Sequence, residues 1–206
     1  LAALLLSHLF QRRRTAAMEA VAARLGLGFR AENDRELARR LEFLDKLDRG
    51  SNRYVSNCLD GEWQSERVMV FDYHYQTSSG RHTQHHHFSV AMLVLPRVFP
   101  ELLVSPESFL SKIAQAAGYD DIDFESAEFS RAFCVRSRDK KFAYDVCHPR
   151  MMEFLLRDRG LVLEIDGNVL ALVFEPRLDP REIESRLHQL LEIRRQLPEY
   201  LLAPKP

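Results

Sequence analysis

The sequence predicts an α+β fold, in which an antiparallel or mixed sheet built from hairpins has helices packed against it. Two observations lead to this prediction. Stretches with strand-like alternation occur in neighbouring pairs, and amphipathic stretches with helix-capping residues lie between those pairs. No glycine-rich turn joins a strand to a helix, which argues against a doubly wound parallel fold.

The chain divides by pattern into three parts. Residues 1–11 are predicted to be the end of a truncated transmembrane helix, residues 12–50 a helical connector, and residues 51–206 a single α+β domain. In the connector, apolar residues at helical spacing end at Gly26 and Gly28, and Asn33 or Asp34 caps a second helix. That helix carries an apolar stripe of Leu37, Leu41, Leu44 and Leu47.

The opening segment is almost entirely apolar up to Phe10 and is followed by Arg12, Arg13 and Arg14. Ten helical residues rise only about 15 Å, half of a bilayer core, so the segment cannot cross a membrane alone. If it ends a longer span, the positive-inside rule places the body in the cytoplasm. A signal-peptide fragment is a second reading, although its charges would precede the apolar run, and a soluble amphipathic helix is a third.

The pattern in the middle of the chain predicts strands. Segments 54–59 and 67–75 flank a turn at Asp60-Gly61, and segment 85–95 follows across Ser79-Gly80. A two-residue turn at Ser79-Gly80 would place Phe71 opposite Phe88.

The second half alternates helix and hairpin signals. The predicted elements are a helix from Ser105-Pro106 to Gly118, a hairpin of 133–136 with 142–146, a helix from Pro149, a hairpin about Asp166-Gly167, and a last helix after Asp179.

Composition narrows the function. The 29 basic and 30 acidic side chains nearly balance, so no nucleic-acid partner is expected. The three cysteines, Cys58, Cys134 and Cys147, lie in apolar surroundings and are predicted to be buried thiols in a reducing compartment. No motif for a cofactor is present.

One polar cluster suggests metal chemistry. In the register above, His85 lies opposite His74 and His87 opposite Asp72, all on one sheet face. Three imidazoles and a carboxylate are ligands that Zn²⁺ accepts. These four residues are therefore the candidate metal ligands, and a polar hairpin end near solvent is the plainer interpretation.

A second cluster, Asp145, Cys147 and His148, suggests a cysteine nucleophile. Adjacent residues do not bring an imidazole within hydrogen-bond reach of the thiol. His148 before Pro149 is better explained as the residue that leads into a helix. No catalytic residue is assigned on this pattern.

Several short blocks carry a resemblance: residues 57–63, 70–75, 124–129, 142–145 and 149–153. Together they resemble a family of uncharacterised bacterial membrane-anchored proteins with no assigned activity, over about residues 50–200. The resemblance implies tethering to a membrane in a bacterium. The chain departs from that family at residues 84–87, where a mixed basic stretch is expected.

The function that the sequence favours is a binding or interaction module tethered to the cell membrane, with its globular body cytoplasmic and no enzymatic role. Its partner would be a protein, a lipid headgroup or a small ligand at the inner membrane surface. The N-terminal segment would attach the protein to the membrane. The alternative is a metal-dependent hydrolase that uses the histidine cluster.

Overall fold

The computed structural model describes residues 2–80, 82–107 and 122–203, with side chains from His8 onward. Six strands form a sheet whose described pairings are antiparallel, and helices pack against it. The predicted α+β fold is confirmed.

The elements follow one another along the described chain as strands and short helices. The strands are β1 (Gly28–Arg30), β2 (Ser51–Trp63), β3 (Glu66–Ser79), β4 (His82–Pro106), β5 (Phe133–Ser137) and β6 (Val162–Phe174). The helices are α1 (Ala2–Leu25), α2 (Arg35–Arg40), α3 (Ala127–Ala132), α4 (Lys140–Val146), α5 (Pro149–Leu155), α6 (Ile183–Gln196) and α7 (Glu199–Leu202), and a 3-10 turn (Pro180–Glu182) precedes α6. Strands β1 to β5 are hydrogen-bonded in sequence order, and β6 pairs with β4.

The chain folds into two compact units. The first comprises Leu1–Met92 and Phe174–Leu187, and the second Leu93–Val173 and His188–Pro206. The segment 12–50 belongs to the first unit, where it contributes β1 to the sheet as well as helices.

Helix α1 begins the first unit and packs on β1 and β2. Met18, Val21 and Ala22 are buried at helical spacing, and Gly26, with φ of 71°, ends the helix as predicted. Asp34 accepts a hydrogen bond from the Leu37 amide and caps α2, which confirms the predicted start.

The four leucines of the predicted stripe are all buried, but α2 is shorter than their spacing suggested. It ends at Arg40, and Leu41, Leu44 and Leu47 lie in successive turns. Apolar spacing therefore located the buried face without fixing the length of the helix.

The turn predicted at Asp60-Gly61 is wrong, because both residues lie inside β2. The chain reverses at Gln64 and Ser65, whose φ values of 50° and 64° are those of a hairpin turn with two left-handed residues. A Cβ on Gly61 would lie 3.1 Å from Cδ2 of Leu27, so this glycine permits a close approach instead of a turn.

The register predicted for β3 and β4 is also shifted. Tyr73 contacts Phe88, with ring centroids 5.2 Å apart, and Tyr75 stacks on His86 at 4.4 Å. These contacts indicate that Phe88 lies opposite Tyr73 and not opposite Phe71, which is a shift of two residues from the predicted register. An even shift keeps every side chain on its predicted face, so the candidate metal ligands remain together.

In the second unit, the strand predicted at residues 142–146 is the helix α4. Asp139 accepts a hydrogen bond from the Phe142 amide at 3.0 Å and starts the helix. Phe142 and Val146 lie four positions apart on one buried face of the helix. Residues four positions apart also lie on the same face of a strand, so this spacing does not distinguish the two in a short segment. The helix predicted from Pro149 is confirmed as α5.

Two more predictions concern turns and helix starts. The hairpin turn predicted at Asp166 and Gly167 is wrong, because strand β6 continues through both residues. Gly167 has a φ of 55°, a left-handed conformation that glycine adopts in β-bulges as well as in turns. Ser105 and Pro106 belong to the end of β4, and the rest of the helix predicted there lies almost wholly outside the described residues. The last helix is confirmed as α6, after a 3-10 turn capped by Asp179.

Candidate functional site

The carboxylate of Asp72 on β3 lies at the centre of a polar network in the first unit, and its side chain is only 3% exposed. Arg14 of α1 donates from Nε to Oδ2 and from Nη2 to Oδ1, both at 2.6 Å. This bidentate geometry is the strongest that an arginine and a carboxylate form. Arg14 therefore fixes α1 to the sheet through a charge pair inside the unit.

Two further donors complete the shell of the carboxylate. Ser89 Oγ donates to Oδ1 of Asp72 at 2.8 Å, and Asn57 Nδ2 donates to Oδ2 at 2.9 Å. Each carboxylate oxygen thus accepts two hydrogen bonds, so the buried charge is well compensated.

The same side chains hold the segment that follows β6. Ser89 Oγ accepts a hydrogen bond from the Leu178 amide at 3.1 Å, and Arg14 Nη1 donates to the Leu178 carbonyl at 2.9 Å. Both backbone groups of Leu178 are therefore engaged, which fixes the position of the neighbouring Arg177.

Irregularities in β2 place the other polar groups. The register with β3 shifts between Ser56 and Leu59, and Asn57 there has a φ of 48°. A bulge of this kind redirects a side chain out of the regular alternation. Asn57 consequently reaches Asp72 and also accepts a hydrogen bond from Thr15 Oγ1 at 2.8 Å.

Arg177 adds a second cation beside the same carboxylate. Its Nη1 donates to Gln11 Oε1 at 3.1 Å and lies 3.9 Å from Asp72 Oδ2. Burial lowers the pKa of Arg177; the charge of Asp72 opposes this shift and the charge of Arg14 adds to it. Two guanidinium groups thus lie beside the one buried carboxylate of Asp72.

A cavity of about 260 Å³, partly open to solvent, lies against this network. Residues of α1, β2, β3 and β4, of the segment between β1 and α2, and of the segment after β6 line it. The polar lining includes Asn33, Tyr54, Ser56, Asn57, His87 and Arg177. Among the described lining residues, only Ala31 has no polar side-chain atom.

The structure brings the three predicted histidines together. His74 is buried, and its Nε2 lies 3.1 Å from Nδ1 of His85. Its other nitrogen, Nδ1, lies 3.1 Å from the carbonyl oxygen of Asn52, which is in a second bulge of β2. The ring of His87 lies 4.7 Å from that of His74.

These imidazoles favour their neutral form. Burial lowers the pKa of His74. Burial of part of the ring, followed by the neighbouring His74 and Arg177, lowers the pKa of His87 to about 4, although the residue as a whole is exposed. At neutral pH both rings are therefore uncharged and can donate one hydrogen bond each.

The metal-site hypothesis gains no support from the described residues. Among them, no group of three or more histidine, cysteine, aspartate or glutamate side chains has an arrangement that could hold a metal ion. Asp72 already accepts four hydrogen bonds, and the guanidinium groups of Arg14 and Arg177 repel a divalent cation.

Residues 145–148 have structural roles in the second unit. Burial raises the pKa of the Cys147 thiol to about 12, so it is not a thiolate at neutral pH. His148 Nδ1 accepts a hydrogen bond from the Met151 amide and caps α5, which confirms the interpretation of His148 as a helix lead-in. Asp145 lies on α4 and pairs with Lys141 at 2.6 Å.

Sequence reasoning identified Asp72 but missed Arg14, Asn57, Ser89 and Arg177 as its neighbours. Arg14 was interpreted as one of three membrane-flanking charges, since its partner is 58 positions away. Asn57 lies at a bulge, which leaves little trace in a pattern of alternation. No local signal marks Ser89 or Arg177.

Comparison with known proteins gives one informative result. No protein-family model matches the chain, and no curated protein sequence matches it. A solved structure, that of the mycobacterial trehalose monomycolate transport factor A, TtfA, superposes with a TM-score of 0.61. The chain shares the fold of a mycobacterial transport factor. The two are 14% identical, and the match covers 95% of this chain and 99% of that one, so the likeness concerns the fold alone.

The remaining sequence expectation concerns the membrane. Among the described helices, none combines the length and the apolar composition that a bilayer crossing requires. The bacterial family resemblance is supported only as far as this shared fold.

Proposed function

We propose that the chain is a binding or interaction module held at the cytoplasmic face of a bacterial membrane by the apolar start of α1. The observation that carries this proposal is the change in exposure along one unbroken helix. Leu9 and Phe10 are 52% and 66% exposed, whereas Met18 is 1% exposed in the same helix. Adjacent exposed apolar side chains on a helix whose later turns pack against the body are typical of an interaction surface.

The charges that follow the apolar stretch support the same arrangement. Arg12 and Arg13 are exposed, while Arg14 turns to the body and pairs with Asp72. Basic side chains near an anionic leaflet contribute about 1 kcal/mol each. Arg12 and Arg13 would therefore lie at the headgroup level, and Arg14 would hold the helix to the first unit.

The fold suggests the kind of process. The solved neighbour is described as a transport factor for trehalose monomycolate, a role that concerns that protein. We propose that this chain likewise serves the transport of a lipid, by binding a partner or a polar headgroup and without catalysing a reaction. The polar cavity of the first unit suits such binding.

Vesicle flotation with the complete chain tests the membrane part of the proposal. The wild-type chain should float with vesicles that contain phosphatidylglycerol. The double variant Leu9→Asp/Phe10→Asp should lose most of this association, because it places two charges where apolar side chains would enter the headgroup boundary.

A matched control uses the same helix and the same charge change. Ala16 and Ala17 are exposed and lie beyond the apolar stretch, so flotation of Ala16→Asp/Ala17→Asp should be reduced much less than flotation of Leu9→Asp/Phe10→Asp. Equal recovery of the two double variants, or no flotation of the wild type, would reject membrane binding through α1.

A further inference from the structure

We infer that the cavity beside Asp72 binds a phosphate group, either free or as the monoester of a small polar headgroup. The inference rests on the proposal that the chain is a binding module, but not on its attachment to a membrane. It is carried by three features of the first unit: the charge balance, the polar lining and the fixed position of Arg177.

The charge balance favours an anion. Arg14 and Arg177 face the buried carboxylate of Asp72, which the bidentate pair with Arg14 already satisfies. The charge of Asp179 also acts on Arg14, but Asp179 is paired with Arg181. Arg177 lies 3.9 Å from Asp72 Oδ2, too far for a hydrogen bond to it. A bound phosphate would compensate this second cation, which is only 28% exposed at its side chain.

The lining supplies neutral donors for the phosphate oxygens. Tyr54 and Ser56 carry hydroxyl groups, and Asn33 carries an amide. Neutral His87, on the opposite strand, can donate one ring N–H. Arginine with several neutral donors is the combination that phosphate sites use.

Size and polarity define the rest of the ligand. At about 260 Å³ the cavity is just below the range of about 300–1,000 Å³ that small-molecule sites usually span. With Ala31 as the one described lining residue without a polar side-chain atom, an acyl chain would leave polar groups without partners. The cavity therefore suits a headgroup and not a lipid tail.

Arg177 is held in place before any ligand arrives. The amide and the carbonyl of the next residue, Leu178, are both hydrogen-bonded within the unit, and Arg177 Nη1 donates to Gln11. A side chain positioned in advance loses less conformational entropy on binding than a surface arginine does.

Calorimetric titration of the complete chain tests this inference with three probes: inorganic phosphate, glycerol 3-phosphate and uncharged glycerol. Both phosphates should bind, and glycerol should not. Arg177→Gln should weaken phosphate binding by about tenfold or more, as expected for loss of a hydrogen bond to a charged group. Arg181→Gln is the matched control. Arg181 lies four positions after Arg177, is exposed, and pairs with Asp179.

The outcomes separate the possible sources. Tighter binding of glycerol 3-phosphate identifies a headgroup ligand, and equal binding identifies free phosphate. Absence of phosphate binding up to millimolar concentration, or equal weakening by Arg177→Gln and Arg181→Gln, would overturn the inference. Two controls exclude a folding defect as the cause of weaker phosphate binding by Arg177→Gln. Arg177→Lys should retain binding, and the circular dichroism melt of Arg177→Gln should match that of the wild type.

This test is independent of vesicle flotation. If the chain floats but binds no phosphate, the proposed membrane role stands and the phosphate site falls. If phosphate binds but the chain does not float, the site stands and the membrane role falls.

Discussion

The two units of the molecule differ in what they bury. The first unit encloses a carboxylate with four hydrogen-bond donors and places a polar cavity beside it. The second buries the aromatic rings of Phe129 and Phe133, 5.2 Å apart, and the thiol of Cys147, although it also buries Glu164. The first unit also buries aromatic rings, those of Phe71 and Tyr73, so what distinguishes it is the buried carboxylate network beside a cavity.

The difference shows where polar burial points to function. A buried ion pair seldom stabilises a fold more than apolar residues of the same volume would. An elaborate network around Asp72 therefore needs a further reason, and its position against the cavity provides one. In the second unit, polar side chains such as Asp139 and His148 instead cap short helices, which is a local structural task.

The largest expected effect comes from removing the buried carboxylate. Asp72→Ala should lower the free energy of unfolding by about 3–5 kcal/mol, because it leaves the Arg14 guanidinium without its counter-charge. Asp60→Ala is the matched control, since Asp60 pairs at 2.9 Å with a half-exposed Arg30 and should cost at most about 1 kcal/mol. Urea denaturation of both variants measures the difference.

A double variant sharpens this test. Arg14→Met/Asp72→Leu removes both charges and should recover part of the stability lost in Asp72→Ala. If the double variant is no more stable than the single one, the hydrogen bonds of Ser89 and Asn57, and not the ion pair, carry the stability of the network.

An intermediate effect is expected at a helix start of the second unit. Asp139→Ala removes the side chain that accepts from the Phe142 amide and should cost about 1 kcal/mol. Asp123→Ala changes an exposed aspartate of the same unit and should leave stability nearly unchanged. Thermal melts followed by circular dichroism compare the two; a similar loss in both would contradict the capping role.

Sequence reasoning was reliable where a few adjacent residues decide the backbone. Gly26 ends a helix through its positive φ, Asp34 starts one through its side-chain hydrogen bond, and Pro149 starts one through its fixed φ. Each of these helix ends is found where it was predicted. Segment 142–146 was mistaken for a strand, because apolar residues in so short a segment fit both periods. The local cap at Asp139 was the signal that could have decided it.

The candidate site was only half accessible from the sequence. The histidines and Asp72 share a strand face, and alternation survives an error of two residues in register. The cations were out of reach, since Arg14 and Arg177 come from distant parts of the chain and no periodic pattern links them to β3. The sequence therefore suggested metal ligands on a face beside which the structure places two arginines.

The smallest expected effect concerns pH and the histidines of the first unit. The pKa of His87 is about 4 in the folded chain, against about 6.5 when unfolded. Between these values the unfolded state binds more protons, so the stabilising contribution is complete above about pH 6.5 and is lost as pH falls toward 4. His74, whose pKa is also lowered by burial, acts in the same direction.

Melting temperatures of the wild type and of His87→Gln, measured from pH 7.5 down to pH 4.5, test this expectation. The wild type should lose stability more steeply than the variant, although solvent at the exposed part of His87 keeps the difference modest. His8→Gln, at an exposed position of α1, is the control and should follow the wild type. Parallel curves for wild type and His87→Gln would mean that the acid sensitivity arises elsewhere. A steeper wild-type curve would instead show that proton uptake works against the folded first unit, because burial lowers the pKa of its imidazoles.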